Sequence, residues 1–241
     1  MKAPLKIICL NIEMDRHFER ILPFFKEQQP DVILLQEVLG KDQELLEKAT
    51  NMYGIYTIQN IICSEKTEDY LGLLTLSHLP IIKNDHIFYR GDGAQPIRMT
   101  EEEPEKTARA LTMIEVVKDH QTYCVLNTHF TWTPNGQPNE AQYQDLQYLL
   151  THLTQIPEFV LCGDFNAPRG TPIFDTLAAN YKDNIPVHIS TTIDKHHHRF
   201  GDLGIVVDGV FTTSGYEITD LQVMDNLSDH CALLTTVNVL L

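Results

Sequence analysis

Short apolar runs recur along this chain, and several stop on an acid, an amide or an imidazole. Residues 5–10 run into Asn11, residues 32–35 into Gln36-Glu37, and residues 159–162 into Gly163-Asp164-Phe165-Asn166. Runs of this length and apolarity read as buried strands. Asp164 and Asn166 are two positions apart, so on an extended chain they share a side. A carboxylate beside a carboxamide at a strand end suits holding a water molecule next to a phosphorus centre. His129, Asp229 and His230 also follow apolar runs. The pattern implies a mainly strand-built domain that delivers polar groups to the region of Asp164.

In chain order, the strand at 5–10 precedes Phe18, Ile21, Leu22 and Phe25, whose spacing marks an amphipathic helix that stops at Pro30-Asp31. Strand, helix and strand in this span suggest a right-handed crossover. Leu45, Ala49 and Met52 continue helical spacing to Gly54. Strands are expected at 55–62, 70–76 and 81–89, with a polar turn at 65–69, and a long loop spans 90–106. Residues 108–117 and 123–130 form an expected hairpin. Leu146, Leu149, Leu150 and Leu153 mark another helix, and Thr171-Pro172 starts a further one at 171–179. Residues 183–204 read as irregular, followed by strands at 205–212, 217–224 and 231–239. There is no linker and no repeat, so residues 1–241 read as one domain, with a monomer as the expectation.

A length of 241 residues, 43% hydrophobic and 21% charged, suits a soluble globular chain with a sizeable core. The net charge of −15 repels polyanions and disfavours duplex nucleic acid, because non-specific binding rests on Lys and Arg neutralising phosphates. Cys9, Cys63, Cys124, Cys162 and Cys231 are odd in number and contain no Cys-x-x-Cys pair, so free thiols are expected rather than a disulfide framework. Residues 2–10 are too short for a signal sequence, and no apolar run has transmembrane length, so an intracellular, cytoplasmic location is the default expectation.

Asp208 sits between valines in Val206-Val207-Asp208-Gly209-Val210, where an acid is costly unless paired. A histidine is the natural partner, since a carboxylate on one ring nitrogen fixes the tautomer and raises the basicity of the ring. If Glu37, Asp164 and Asp229 converge, like charges about 4 Å apart repel by roughly 4 kcal/mol at an effective dielectric near 20. A hard divalent cation relieves that repulsion, and oxygen donors favour Mg²⁺ or Mn²⁺ over Zn²⁺.

Leu35-Gln36-Glu37-Val38, Gly163-Asp164-Phe165-Asn166 and Ser228-Asp229-His230 resemble, in order, three signatures of the endonuclease/exonuclease/phosphatase superfamily, the fold of deoxyribonuclease I. Asn11, Tyr70-Leu71-Gly72, Arg109, Asn127-Thr128-His129 and Val207-Asp208-Gly209-Val210-Phe211 are secondary matches. The resemblance implies an α/β (α+β) protein, a four-layer α/β/β/α sandwich with two mixed sheets face to face. It implies a metal-dependent phosphodiester hydrolase in which Glu37, Asn11 and Asp229 hold Mg²⁺ or Mn²⁺. Asp164 activates the attacking water and Asn166 positions it or the phosphate. His230, paired with Asp208, stabilises developing charge, and His129, Tyr70 and Arg109 contact the phosphate. Cys9-Leu10 and Gly209 depart from the family's common residues, which leaves substrate preference open. A small, lipid or single-stranded phosphoester fits the charge; a DNA or RNA nuclease and an inactive binding module of the same fold are the alternatives.

Plainer readings stand beside these. Asp164 and Asn166 also suit an Asx turn, which is compatible with a catalytic role. Tyr70 reads equally as a half-buried strand tyrosine and Arg109 as a surface ion-pair partner. His196-His197-His198-Arg199 reads first as a solvated loop, able to supply a phosphate-binding side chain. Trp132 either stacks on substrate or plugs its loop. Glu101-Glu102-Glu103 reads as solvent-exposed.

Overall fold

Strands apolar on both sides need cover on both sides, and the architecture supplies it. The computed structural model describes residues 3–63, 68–100 and 106–240. In order, the elements are β1 (Leu5–Asn11), α1 (Phe18–Gln28), β2 (Val32–Leu39), α2 (Gln43–Thr50), β3 (Tyr53–Cys63), β4 (Glu68–Ser77), β5 (Ile81–Arg90) and β6 (Ile97–Arg98). There follow β7 (Arg109–Lys118), β8 (Gln121–His129), α3 (Glu140–Leu153), β9 (Val160–Asp164), α4 (Pro172–Asn180), β10 (Lys182–Asp183), β11 (Asp208–Thr212), β12 (Tyr216–Met224) and β13 (Ala232–Val239).

Two mixed sheets result, one in the order β12-β13-β1-β2-β4-β3-β6 and the other β10-β11-β9-β8-β7-β5. Strands β1 and β2 are parallel neighbours, as the expected crossover requires, and β8 and β9 form a second parallel pair. Alternation along each strand sorts the core into three slabs. Leu5, Ile7, Val32 and Leu34 from one sheet meet Ile114, Val125, Val160 and Val210 from the other. Ile8, Leu10, Ile33 and Leu35 turn outward onto Ile21, Phe24 and Phe25 of α1 and Leu46 of α2. On the opposite outer face, Leu126, Leu161 and Phe211 pack on α3 and α4 through Leu146, Leu149, Phe174 and Leu177. The product is the four-layer sandwich. No helix among the described residues is long and apolar enough to cross a membrane.

The layers are stitched by buried polar groups. Asn127 of β8 accepts a 2.7 Å hydrogen bond from Gln36 Nε2 and donates to the Leu35 carbonyl at 3.1 Å, both on β2. Thr57 and Thr112 make a 2.8 Å hydroxyl pair between β3 and β7. In a core this dry, such links fix how one sheet sits over the other.

Several boundaries differ from the sequence reading. Helix α2 ends at Thr50, before Met52, because Asn51 takes a left-handed conformation that caps it. The strand expected to stop at Gln36-Glu37 runs on to Leu39 through a bulge. Within the expected 90–106 loop, Ile97–Arg98 adds a parallel edge to β3. Glu68 and Asp69 belong to β4, while residues 64–67 and the acidic run 101–103 lie outside the described residues. The strand expected from 205 begins at Asp208, since the amides of Val207 and Asp208 both turn to Thr192 Oγ1, at 3.0 and 3.1 Å.

Candidate active site

The polar strand ends meet at one pole of the sandwich. Register places His129, Asp164 and Asp208 side by side on β8, β9 and β11, with Asp164 in the middle. Gly163 makes this packing possible: a Cβ there would stand 2.1 Å from the Thr128 carbonyl oxygen. Asn11, at the end of β1, reaches across from the other sheet. Its Nδ2 donates to Glu37 Oε1 and to Asp164 Oδ2, both at 3.2 Å.

Glu37 owes its position to the β2 bulge. The register with β4 shifts between Leu35 and Val38, and Glu37 takes φ of 56°, a left-handed conformation rare for an acid. Gln36 thereby turns into the dry space between the sheets, while Glu37 is left half-buried at the pole. Among the described residues only its Oε1 is hydrogen-bonded, which leaves the second oxygen for a ligand.

Asp164 is the hub. Its Oδ1 accepts from the Asn166 amide at 2.8 Å, so the Asx turn forms and coexists with the cluster. Its Oδ2 lies 3.4 Å from His129 Nε2 and 3.7 Å from His230 Nε2. On the far side of the His230 ring, Nδ1 stands 2.9 Å from Asp208 Oδ2. The expected Asp208–His230 pair is therefore present. Asn166, at φ of 50°, donates Nδ2 to the Phe130 carbonyl at 3.0 Å.

The two imidazoles are driven in opposite directions. Burial works against a charged His230, but the carboxylates of Asp208 and Asp164 outweigh it and hold its pKa well above the ordinary value. Burial, reinforced by the positive charges of Arg109 and His230, pushes His129 well below. Burial also raises the carboxyl groups of Glu37, Asp164 and Asp229. At neutral pH the pole thus pairs a protonated His230 with a neutral His129.

The remaining expected residues divide. Asp229 is half-buried, takes a 3.2 Å hydrogen bond from Ser228 Oγ, and adds its charge to the field at Glu37. Arg109 is not a surface residue: it is 7% exposed and its Nη1 donates to the His129 carbonyl at 3.5 Å. Its Nε has no partner among the described residues. Tyr70 is not drawn into the cluster. It is 46% exposed and lines a separate hollow of about 300 Å³ with Tyr56, His86 and Phe88.

The carboxylates of Glu37 and Asp229 suit a hard divalent cation, which would stabilise charges that burial disfavours; Asn11 turns Nδ2 toward Glu37 and its Oδ1 accepts from the Glu13 amide at 3.2 Å, so its amide would have to turn over to join them. Asp164, Asp208 and His230 also lie close enough together to suggest an ion site. In that trio the imidazole already bonds to one acid, with His230 Nδ1 2.9 Å from Asp208 Oδ2, and an ion there would have to displace a ring proton. Sequence reasoning missed Thr192, whose hydroxyl pins the Asp208 backbone, and the Gln36–Asn127 link beneath the pole. Polar residues inside apolar strands could have signalled the second. Nothing local could have signalled the first.

No curated protein sequence matches the chain. Among solved structures, an endonuclease/exonuclease/phosphatase from Bacteroides vulgatus superposes with a TM-score of 0.75 at 18% identity, covering 99% of this chain and 100% of that one. D. rerio TDP2 complexed with single strand DNA product gives 0.73 at 15%, covering 98% and 100%. A mannosyl-6-phosphatase from Bacteroides thetaiotaomicron gives 0.71 at 11%, covering 97% and 99%. At these identities the likeness is one of fold. The model of the Endonuclease/Exonuclease/phosphatase family matches residues 8–230, from the first strand to the histidine of the pole, and the chain belongs to that family.

Proposed function

We propose that residues 1–241 work as one unit, a divalent-metal-dependent phosphoesterase that hydrolyses small phosphodiesters by in-line attack of water. The observation that carries this is the line Asp208–His230–Asp164, in which a charged imidazole sits between two buried acids with its outer nitrogen facing the cluster. Asp164, whose basicity burial raises above that of a free carboxylate, is suited to take the proton of the attacking water. His230 keeps its proton, because Asp208 accepts from Nδ1, and presents positive charge where the phosphoryl oxygens gain electrons. Asn166, anchored on the Phe130 carbonyl, orients the water or phosphate. Arg109, buried and without an acid at ion-pair distance among the described residues, adds positive potential behind His129. Glu37, Asn11 and Asp229 would hold Mg²⁺ or Mn²⁺. That ion would neutralise phosphoryl charge as it builds.

The net charge of −15 favours a small substrate over a long nucleic acid. The test is a panel of phosphomono- and phosphodiesters assayed with Mg²⁺, with Mn²⁺ and with EDTA. Metal-dependent turnover is expected, with loss in Asp164→Ala and Glu37→Ala. Wild-type turnover in either variant would overturn the assignment.

A further inference from the structure

One wall of the pole has no part in the proposed reaction. A cavity of about 760 Å³ opens against Asn166 and His230, and the rest of its lining includes Trp132, Thr133, Arg199 and Phe200. Trp132 is 38% exposed and Phe200 67% exposed. Two large rings held open to water beside a buried polar cluster are unfavourable unless something covers them. The Arg199 guanidinium lies 4.7 Å from the Phe200 ring centre and has no acidic partner among the described residues. Thr133 supplies an independent sign of a ligand. It is 1% exposed, lines this cavity, and its Oγ1 has no hydrogen-bond partner among the described residues.

Both ring-bearing loops are tied down. Thr131, beside Trp132, donates Oγ1 to Asp145 at 2.5 Å, and its backbone carbonyl accepts from Gln142 Nε2 at 2.7 Å, both partners on α3. The other loop is bound to the catalytic segment: the Asp194 amide donates to the Asp229 carbonyl at 2.9 Å, and the His198 amide to the Asp194 carbonyl at 2.9 Å. The cavity is preformed rather than assembled by chance side-chain positions.

We infer that this cavity is the subsite for a flat heteroaromatic ring carried by the phosphoester, of the size and polarity of a nucleobase, with Trp132 and Phe200 as its stacking surfaces. The inference rests on the phosphoesterase reading and names its substrate class: a small nucleotide-like phosphoester. Stacking uses the ring faces, and Thr133 with Arg199 answers polar groups on the ring edge. An acyl chain would cover the rings but leave those two polar groups unpaired. A sugar phosphate packs on an aromatic ring only through its C–H face and lacks the flat π surface that stacks face to face, so it should bind more weakly.

Trp132 is the only tryptophan in the chain, so intrinsic fluorescence reports directly on this cavity. The full chain is titrated with adenosine 5′-monophosphate in EDTA, with ribose 5-phosphate and octyl phosphate as ring-free competitors. Saturable quenching by the nucleotide is expected, with ribose 5-phosphate at least about tenfold weaker. Phe200→Ala and Arg199→Ala are each expected to weaken nucleotide binding by about tenfold. Phe200 is exposed, so its truncation leaves the core intact. No quenching, equal binding of ribose 5-phosphate, tighter competition by octyl phosphate, or undiminished binding in Phe200→Ala would overturn the inference. The two readings fail separately. Ring-selective binding without hydrolysis of any phosphoester would end the catalytic proposal alone. Hydrolysis without ring preference would end the subsite alone.

Discussion

Replacing Asp208 by Asn removes one charge and keeps nearly the same shape. His230 Nδ1 and Asp208 Oδ2 are 2.9 Å apart, and both residues are buried. At an effective dielectric near 20, a unit pair at that separation attracts by about 6 kcal/mol. The amide still accepts a hydrogen bond, and Asp164 still faces the ring at 3.7 Å, so the loss is smaller; breaking one partner of a buried pair costs about 3 kcal/mol. Because the folded pKa of His230 is raised above its unfolded value, the pair stabilises fully below the unfolded pKa near 6.5. That contribution is lost as pH rises through the folded pKa. Asp208→Asn should therefore cost about 3 kcal/mol in urea unfolding at pH 6 and progressively less as pH rises through the folded pKa of His230. Histidine ring titration followed by NMR should show the His230 midpoint moving to lower pH, and turnover should fall by about 10²-fold or more. An unmoved midpoint, or a stability loss independent of pH, would refute the reasoning.

Three further outcomes follow from the same geometry. Glu37→Gln should weaken Mg²⁺ or Mn²⁺ binding in calorimetry by at least about tenfold while leaving the melting temperature nearly unchanged, since the side chain is at the rim; unchanged affinity would move the metal elsewhere. Asn127→Leu leaves Gln36 Nε2 and the Leu35 carbonyl without the partner that joins the sheets, so urea unfolding should show a loss of about 3 kcal/mol; a loss under about 1 kcal/mol would mean the link is dispensable. Gly163→Ala would set a Cβ 2.1 Å from the Thr128 oxygen and force β8 and β9 apart, a cost of about 3 kcal/mol; a near-wild-type melting curve would show that the strands yield.

The layering was legible because it is written in apolar alternation. Ile7 and Ile8, or Leu34 and Leu35, are both apolar although they face opposite ways, and only strands covered on both sides read like that. The catalytic candidates were legible because acids at the ends of such strands are costly without a purpose. Glu37 shows the limit. Its motif was visible, but its placement depends on a bulge, and a bulge is fixed by pairing with β4, far along the chain. Arg109 and Tyr70 show the same limit from two sides. One opens β7 beneath His129 and is buried; the other faces a different hollow. Which way a strand residue points depends on register with its neighbours, and register is a non-local property. Trp132 and the 196–199 loop carried no decision in their own letters; their meaning comes from meeting across one cavity.

The charge arrangement at the pole supports the proposed ion. Four carboxylates, Glu37, Asp164, Asp208 and Asp229, gather there with two cations, protonated His230 and Arg109. His129 cannot help, because burial and Arg109 keep it neutral although it is closer to Asp164 Oδ2, at 3.4 Å, than His230 is, at 3.7 Å. The excess of negative charge matches a divalent cation. Without one, burial drives Glu37 and Asp229 toward holding protons. With one, the same burial strengthens the attraction, since the ion's field acts in a poorly screened space. Binding the ion would then lower the pKa of the acids around it, so uptake should release protons. Proton release measured in weakly buffered solution should therefore rise as pH falls into the range where Glu37 and Asp229 are protonated in the ion-free chain. A release that stayed at zero across that range would place the ion away from these acids.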